Sequence, residues 1–321
     1  MDEFYRALCR AAGEEQVKRQ ESMALHTTFR TGGPAAFFAS VKTEEELRQT
    51  VGACREYQVP YYMLGNGSNL LVGSAGFPGV MIRLDGELKE WRILREEEDG
   101  RVLLKAGAGL LLSKIGRAAL EEGLTGFEFA GGIPGTLGGA VVMNAGAYGG
   151  EMKDILKEVT VMTEKGEILT LPAEELEMGY RTSIIKKKGY LVLGAVIVLE
   201  QGEQEVIKAR MKELTEQRVS KQPLEYPSAG STFKRPEGYF AGKLIMDAGL
   251  CGYQTGGAQV SEKHCGFVIN KGNATATDVC RLIKDVQDKV KEQFGVTLEP
   301  EVKFLGDFED TDLQISTSFR K

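Results

Sequence analysis

Ala130-Gly-Gly-Ile-Pro-Gly-Thr-Leu-Gly-Gly-Ala-Val-Val-Met-Asn-Ala-Gly-Ala-Tyr-Gly-Gly150 is the stretch on which the reading of this chain turns. Residues 131–150 hold eight glycines, interleaved with alanines and aliphatic residues. That composition is too apolar for a flexible linker. A run this small in side chain lets a large flat or phosphorylated ligand reach the backbone directly. A second concentration, five glycines between Gly65 and Gly79, opens with Gly65-Asn-Gly-Ser-Asn69. Successive N–H groups in such a turn can form an anion-binding nest, and Asn66, Ser68 and Asn69 add neutral donors. Read without a ligand, the same five residues are a tight turn between two strands. No fixed period links the two stretches, so a repeat protein is disfavoured. Neither contains GxxxxGK[ST], and GxGxxG is broken where Leu70 replaces the third glycine. A P-loop enzyme and an ordinary Rossmann dehydrogenase both lose ground.

The rest of the composition narrows the class. Glycine makes up 40 of 321 residues, about 12% against a typical ~7%. The length suggests two or three domains. A net charge of -6 argues against nucleic acid, which calls for a basic face. The one basic run, Lys186-Lys187-Lys188 before Gly189, reads as a solvated turn. Cys9, Cys54, Cys251, Cys265 and Cys280 are odd in number and contain no CxxC pair. This argues against a disulfide framework and a zinc ribbon, and suits a reducing cytoplasm. With only His26 and His264 available, a His/Cys metal site is not expected. No signal-type or membrane-spanning apolar run is visible, so a cytoplasmic location with no membrane partner is expected.

Local signals place the motifs. Thr43 reads as an N-cap with Glu46 three residues on, opening a helix through Tyr57. Val59–Leu64 and Val80–Leu84 read as strands on either side of the first glycine loop. Arg101–Lys105, Val159–Thr163 and Tyr190–Leu199 read as strands, and Leu111–Glu122 as a helix. A polar helix is expected over Glu203–Ser220 and an amphipathic one over Ala276–Phe294, with a last strand at Val302–Leu305. The tail beyond Asp307 is expected to be loose. The fold class is α+β, since helices and strands do not alternate with the period of a βαβ array.

Three polar clusters complete the pattern: Tyr180-Arg-Thr-Ser183, Ser228-Ala-Gly-Ser-Thr-Phe233 and Leu298-Glu-Pro-Glu-Val302. Singly, they read as a surface cation, a turn hydroxyl and a solvated carboxylate. Together with His26-Thr-Thr-Phe-Arg-Thr-Gly-Gly33, Leu64–Leu71, Gly131–Ala140, Asn144–Tyr148 and Gly257–His264, they occur in one order. In that order the chain, from about Gln20 to Gly306, resembles the UDP-N-acetylenolpyruvoylglucosamine reductase family, in its shorter type.

The resemblance implies a vanillyl-alcohol-oxidase-like, two-part FAD-binding unit plus a separate α+β substrate-binding domain. The parts expected are residues 1–84 with 305–321, residues 85–209, and residues 210–304. It implies non-covalent FAD held by Gly65, Asn66, Gly67, Ser68, Asn69 and Leu70, and by Gly132, Ile133, Pro134, Gly135, Gly138, Gly139, Ala140, Asn144 and Gly146. NADPH would reduce the flavin, and the reduced flavin would reduce the enolpyruvyl ether at C3, with protonation at C2. By motif position Ser231 is the proton donor, and Arg181 holds the substrate carboxylate and the developing charge. Glu301, rather than Glu299, stabilises or protonates the enol-like intermediate. Lys221, Gln259, Lys263 and His264 are candidates for the UDP-sugar pocket. The implied partners are small molecules, with a monomer slightly favoured. The competing readings are a flavin oxidase of the same superfamily and a nucleotide-sugar-binding protein without catalysis. The first would leave Arg181, Ser231 and Glu301 without a shared role; the second would be favoured by a missing catalytic residue, and all three are present.

Overall fold

The structure is a computed structural model and describes residues 1–96 and 100–308. The expected loose tail lies mostly outside the described residues.

The first sheet has the order Val17–Ser22, Pro34–Val41, Phe77–Leu84, Tyr61–Leu64. Its first pair is antiparallel and the other two pairs are parallel. Parallel neighbours need a crossover, which the helix Glu44–Glu56 supplies. Thr43 caps that helix as expected: its Oγ1 accepts from the Glu46 N–H at 3.1 Å. The Glu46 carboxylate returns to the Lys42 N–H at 2.6 Å, one residue earlier than a standard capping box. Leu47, Val51 and Cys54 recur at helical spacing and are buried against the sheet.

The second sheet is antiparallel. Its order is Ile168–Pro172, Leu156–Met162, Leu191–Gln201, Arg101–Gly107, Trp91–Glu96, with the short strand Leu124–Thr125 paired to Leu191–Gln201. Leu191–Gln201 is central and nearly continuously apolar. It packs on the helix Leu137–Met143 and shares one core with the first sheet, through Phe37, Val80, Ile82, Leu104 and Ile197.

A third sheet, Gln254–Thr255, Ala258–Val260, Val268–Asn270, lies against the helix Ala276–Phe294. Thr275 and Asp278 form the capping box of that helix at 3.1 and 2.9 Å, and Gly295, at φ +70°, ends it in the left-handed region that glycine tolerates. Its core of Ile245, Val279, Ile283 and Val286 also takes in Phe29 and Leu71 from the N-terminal part of the chain. The chain then returns: Lys303–Leu305 pairs in parallel with Leu70–Val72, directly after the first glycine loop.

Two expectations are corrected. Lys186–Lys188 is the end of a short helix, Ile184–Lys188, closed by Gly189 at φ +66°, and not a turn. The cysteines include one bonded pair, Cys251–Cys265, with Cα atoms 5.6 Å apart. An odd cysteine count does not show that the hairpin between them brings residues 14 apart into contact. Cys9, Cys54 and Cys280 are free thiols. The helix Asp2–Ala12 and the strands Val17–Ser22 and Pro34–Val41 were not expected from sequence. The mixed polarity of the N-terminal stretch had hidden them.

Candidate functional site

The two glycine stretches meet. The Asn66 side-chain amide donates to the Pro134 carbonyl at 3.0 Å, across 68 residues. A Cβ at Gly65 would lie 2.8 Å from Thr136 Oγ1. At Gly67, with φ +63°, it would lie 2.0 Å from the His26 carbonyl. Gly138 and Gly146 are likewise closed by Ala108 and by Gly150. Backbone crowding requires glycine at Gly67 and Gly146, and side chains crowd Gly65 and Gly138. Gly135 and Gly139 differ: the nearest atoms to an added Cβ are 3.9 and 3.7 Å away. Nothing in the chain demands glycine at these two positions, which is what direct approach of a ligand to backbone would leave behind.

Next to this junction lies a cavity of about 70 Å³, lined among others by Phe129, Gly132, Tyr148, Met211 and Arg218. The Arg218 guanidinium is 3.3 Å from where a Gly132 Cβ would be. Burial pulls its pKa below the ordinary value, opposed by the Tyr148 phenol. Arg218 has neither an ion pair nor a hydrogen bond among the described residues, and Glu128, whose carboxylate accepts from the Thr125 hydroxyl and the Gly126 N–H, lines the same cavity. Sequence reasoning missed Arg218. The signal was its helical spacing: Met211, Leu214 and Arg218 fall on one face of Gln204–Lys221.

The polar clusters converge on the other side of the first glycine loop. Gly179 and Thr182 exchange backbone hydrogen bonds at 3.1 and 3.3 Å, leaving Tyr180 and Arg181 at the tip of a tight turn. Arg181 sits at φ +55°, a left-handed conformation uncommon for a long side chain. Its Nε donates to Glu301 Oε1 at 2.5 Å, and both side chains are largely shielded. Glu301 is fixed from behind. Its N–H donates to the Thr232 carbonyl at 2.8 Å, and its carbonyl accepts from the Asn69 side chain at 3.3 Å. Thr232, fully buried, also receives the Val268 N–H on its hydroxyl at 2.9 Å and donates its own N–H to the Gly266 carbonyl at 2.8 Å. Ser231 is thereby held one residue from the bond to Glu301. Its Oγ makes only a long contact, 3.4 Å, to the Phe233 carbonyl. Glu299 pairs with Lys234 instead of Arg181.

Asn144 shows how the turn is held. It is fully buried at φ +44°. Its amide donates to Glu151 at 3.0 Å and to the Gly179 carbonyl at 3.3 Å, while its oxygen accepts from the Lys153 N–H at 3.0 Å. The Asn144 side chain thus braces the Arg181 turn. Asn144→Ala should destabilise the protein by about 2–3 kcal/mol, from lost hydrogen bonds and an alanine in the left-handed region. Denaturant unfolding checks this, and a loss below measurement error would remove the role.

The other expected contacts are less convergent. Gln259 donates to the Gly252 carbonyl at 3.2 Å within its own hairpin. Lys263 reaches the Val219 carbonyl at 2.6 Å. Lys221, the last residue of its helix, is exposed. His264 Nδ1 accepts from the Gly266 N–H at 3.1 Å, and the ring packs on Phe267. Burial holds His264 below its ordinary pKa. A depressed histidine contributes stability that is whole above its unfolded value of about 6.5 and is lost as pH falls toward the folded value. Melting temperature should therefore decline more between about pH 7 and 5 than in His264→Gln, and parallel profiles would refute the assignment.

No described helix is long and apolar enough to cross a membrane.

Comparison with known proteins agrees with this layout. Residues 35–172 match the FAD binding domain family, and residues 222–305 match the UDP-N-acetylenolpyruvoylglucosamine reductase C-terminal domain. The chain is 55% identical over 293 residues to UDP-N-acetylenolpyruvoylglucosamine reductase of Lachnoclostridium phytofermentans, covering 91% of this chain and 94% of that one. It is 49% identical over 305 residues to the protein of that name from Clostridioides difficile, covering 95% and 98%. Among solved structures, the reductase of that name from Thermus caldophilus superposes with a TM-score of 0.75 at 38% identity, covering 90% of this chain and 98% of that one.

Proposed function

Because the chain belongs to the UDP-N-acetylenolpyruvoylglucosamine reductase family, we propose that Arg181, Ser231 and Glu301 form the place where it reduces the enolpyruvyl group of that UDP-sugar. The protein is an FAD-containing oxidoreductase of peptidoglycan precursor synthesis. Its α+β fold combines an FAD-binding part with a C-terminal substrate part.

The observation that carries the assignment of residues is the Arg181–Glu301 contact, made across 120 residues beside the junction of the glycine loops. The residues at that junction fit FAD. The open faces of Gly135 and Gly139 can accept a flat, phosphorylated group, and Arg218 supplies a positive charge with no ion pair among the described residues. Asn66, Ser68, Asn69 and Leu70, with Gly132, Ile133, Pro134 and Ala140, would line the same contact. Bound there without a covalent link, FAD supplies the hydride chemistry that no side chain of this chain can perform. NADPH is the reductant in this reading.

Arg181 binds the carboxylate of the enolpyruvyl group. Its bond to Glu301 uses Nε, which leaves the terminal nitrogens for that carboxylate. Glu301 fixes the plane of the guanidinium and stabilises the enol-like stage. The Ser231 hydroxyl delivers the proton to C2, which it can do only where the carbon is strongly basic and within about 3 Å. We assign residues 1–84 with 305–321 to the first FAD-binding part, 85–209 to the second, and 210–304 to the substrate part. A cytoplasmic, monomeric protein fits this chemistry.

The test is direct. Purified protein should show flavin absorbance that NADPH bleaches under anaerobic conditions and that UDP-N-acetylenolpyruvoylglucosamine restores. Protein that stays colourless after addition of FAD would end the reading.

A further inference from the structure

Three lysines crowd the rim of the Arg181–Glu301 site, and nothing in the reduction as described uses them. Lys186 follows the Arg181 turn on the helix Ile184–Lys188, and its Nζ reaches the Arg181 carbonyl at 3.5 Å. Lys234 is three residues beyond Ser231, and its N–H donates to the Glu299 carbonyl at 2.8 Å. Lys303 is two residues beyond Glu301, on the strand Lys303–Leu305, with its N–H on the Asn69 carbonyl at 3.0 Å. Lys186 thus touches the Arg181 backbone through its ammonium group, and Lys234 and Lys303 are held by backbone bonds adjacent to those that hold Glu301.

The charges do not balance. Lys303 is half-buried, and Lys186 and Lys234 both face it, with Glu299 as the acidic neighbour already paired to Lys234. Burial first, and then these two like charges, lower the Lys303 pKa from its ordinary value. A fold gains nothing by gathering ammonium groups around a half-buried one, since like charges at short range repel. The cost disappears when a dianion enters, because three donors of one sign then surround one acceptor of the other.

We propose that Lys186, Lys234 and Lys303 form a receptor for a phosphate group of a nucleotide substrate. Two sources of that phosphate fit the chemistry: the 2′-phosphate that separates NADPH from NADH, and the diphosphate of the UDP-sugar. The choice of these nucleotides rests on the function proposed above, but the anion site does not. It predicts phosphate binding to the protein whether or not turnover occurs.

The experiment uses the FAD-loaded full chain and the variants Lys186→Gln, Lys303→Gln and the double variant. Lys186 is exposed, so its variant keeps the fold if Lys303→Gln does not. Calorimetry with adenosine 2′,5′-bisphosphate and, separately, with UDP reads binding without catalysis. Each lost lysine should weaken one of these ligands about tenfold. Loss confined to the bisphosphate, with KM for NADPH raised and KM for NADH unchanged, assigns the 2′-phosphate. Loss confined to UDP, with KM for the UDP-sugar raised, assigns the diphosphate. In both cases kcat should hold, and added salt should mimic the variants. Unchanged affinity for both ligands would overturn the proposal. So would a fall in thermal stability alone, which would make the lysines structural. Binding of the bisphosphate to wild type without any turnover would leave this inference intact while ending the functional reading.

Discussion

A Ser231→Ala enzyme should accept electrons from NADPH at nearly the wild-type rate, yet its flavin should be reoxidised by the enolpyruvyl UDP-sugar about 10²–10⁴ times more slowly. The separation follows from where Ser231 sits. Its hydroxyl would serve only the second half-reaction, in which C2 must gain a proton. The substitution should leave the loop in place, because the loop is held by Thr232, through backbone and hydroxyl bonds to Glu301, Gly266 and Val268. Ser231 Oγ contributes only the long contact to the Phe233 carbonyl. Stability should stay within about 0.5 kcal/mol of wild type. Rapid-mixing absorbance of the flavin resolves the two half-reactions. Ser231→Cys, which restores a dissociable proton at the same place, should recover part of the rate. Equal slowing of both half-reactions, or no recovery with cysteine, would mean that the hydroxyl positions rather than protonates.

Much of the fold was legible because its signals are local. Thr43 and Glu46 mark the start of one helix, and Thr275 with Gly295 bracket another over the expected residues Ala276–Phe294. The N-terminal helix Asp2–Ala12 was hidden because only Phe4, Leu8, Ala11 and Ala12 face inward among charged neighbours. The site was legible in part for the same reason. Arg181 and Glu301 stand out through the order of motifs, but their contact is tertiary and no spacing encodes it. Glycine was the ambiguous signal. A glycine required by a left-handed turn, like Gly67, and one left open on one side, like Gly135, look the same in a sequence. Only the surroundings distinguish packing from access. Asn144 is ambiguous in another way: a small polar residue in a glycine-rich run suggests a ligand, and its side-chain amide also bonds inside the protein. The Cys251–Cys265 pair was invisible because a count of cysteines contains no distances.

Arg181→Ala should lower kcat/KM for the UDP-sugar by about 10³, with flavin reduction by NADPH much less affected. The size follows from what the guanidinium must balance. In the resting protein it balances Glu301; in the proposed site it would, with substrate bound, balance both Glu301 and the enolpyruvyl carboxylate, whose charge grows as C2 becomes carbanionic. Removing it leaves two carboxylates facing each other in a shielded place, where their repulsion is stronger than in water. Arg181→Lys keeps the charge but loses the planar fork, so it should rescue the rate only in part. Glu301→Gln separates the two contributions. If Glu301 mainly orients Arg181, the double variant Arg181→Ala/Glu301→Gln should be little worse than Arg181→Ala alone, because the second substitution also relieves the repulsion left by the first. If Glu301 acts directly on the enol-like stage, the two losses should multiply. Steady-state kinetics on the four enzymes distinguishes these outcomes. Wild-type kcat/KM in Arg181→Ala would remove Arg181 from the site altogether.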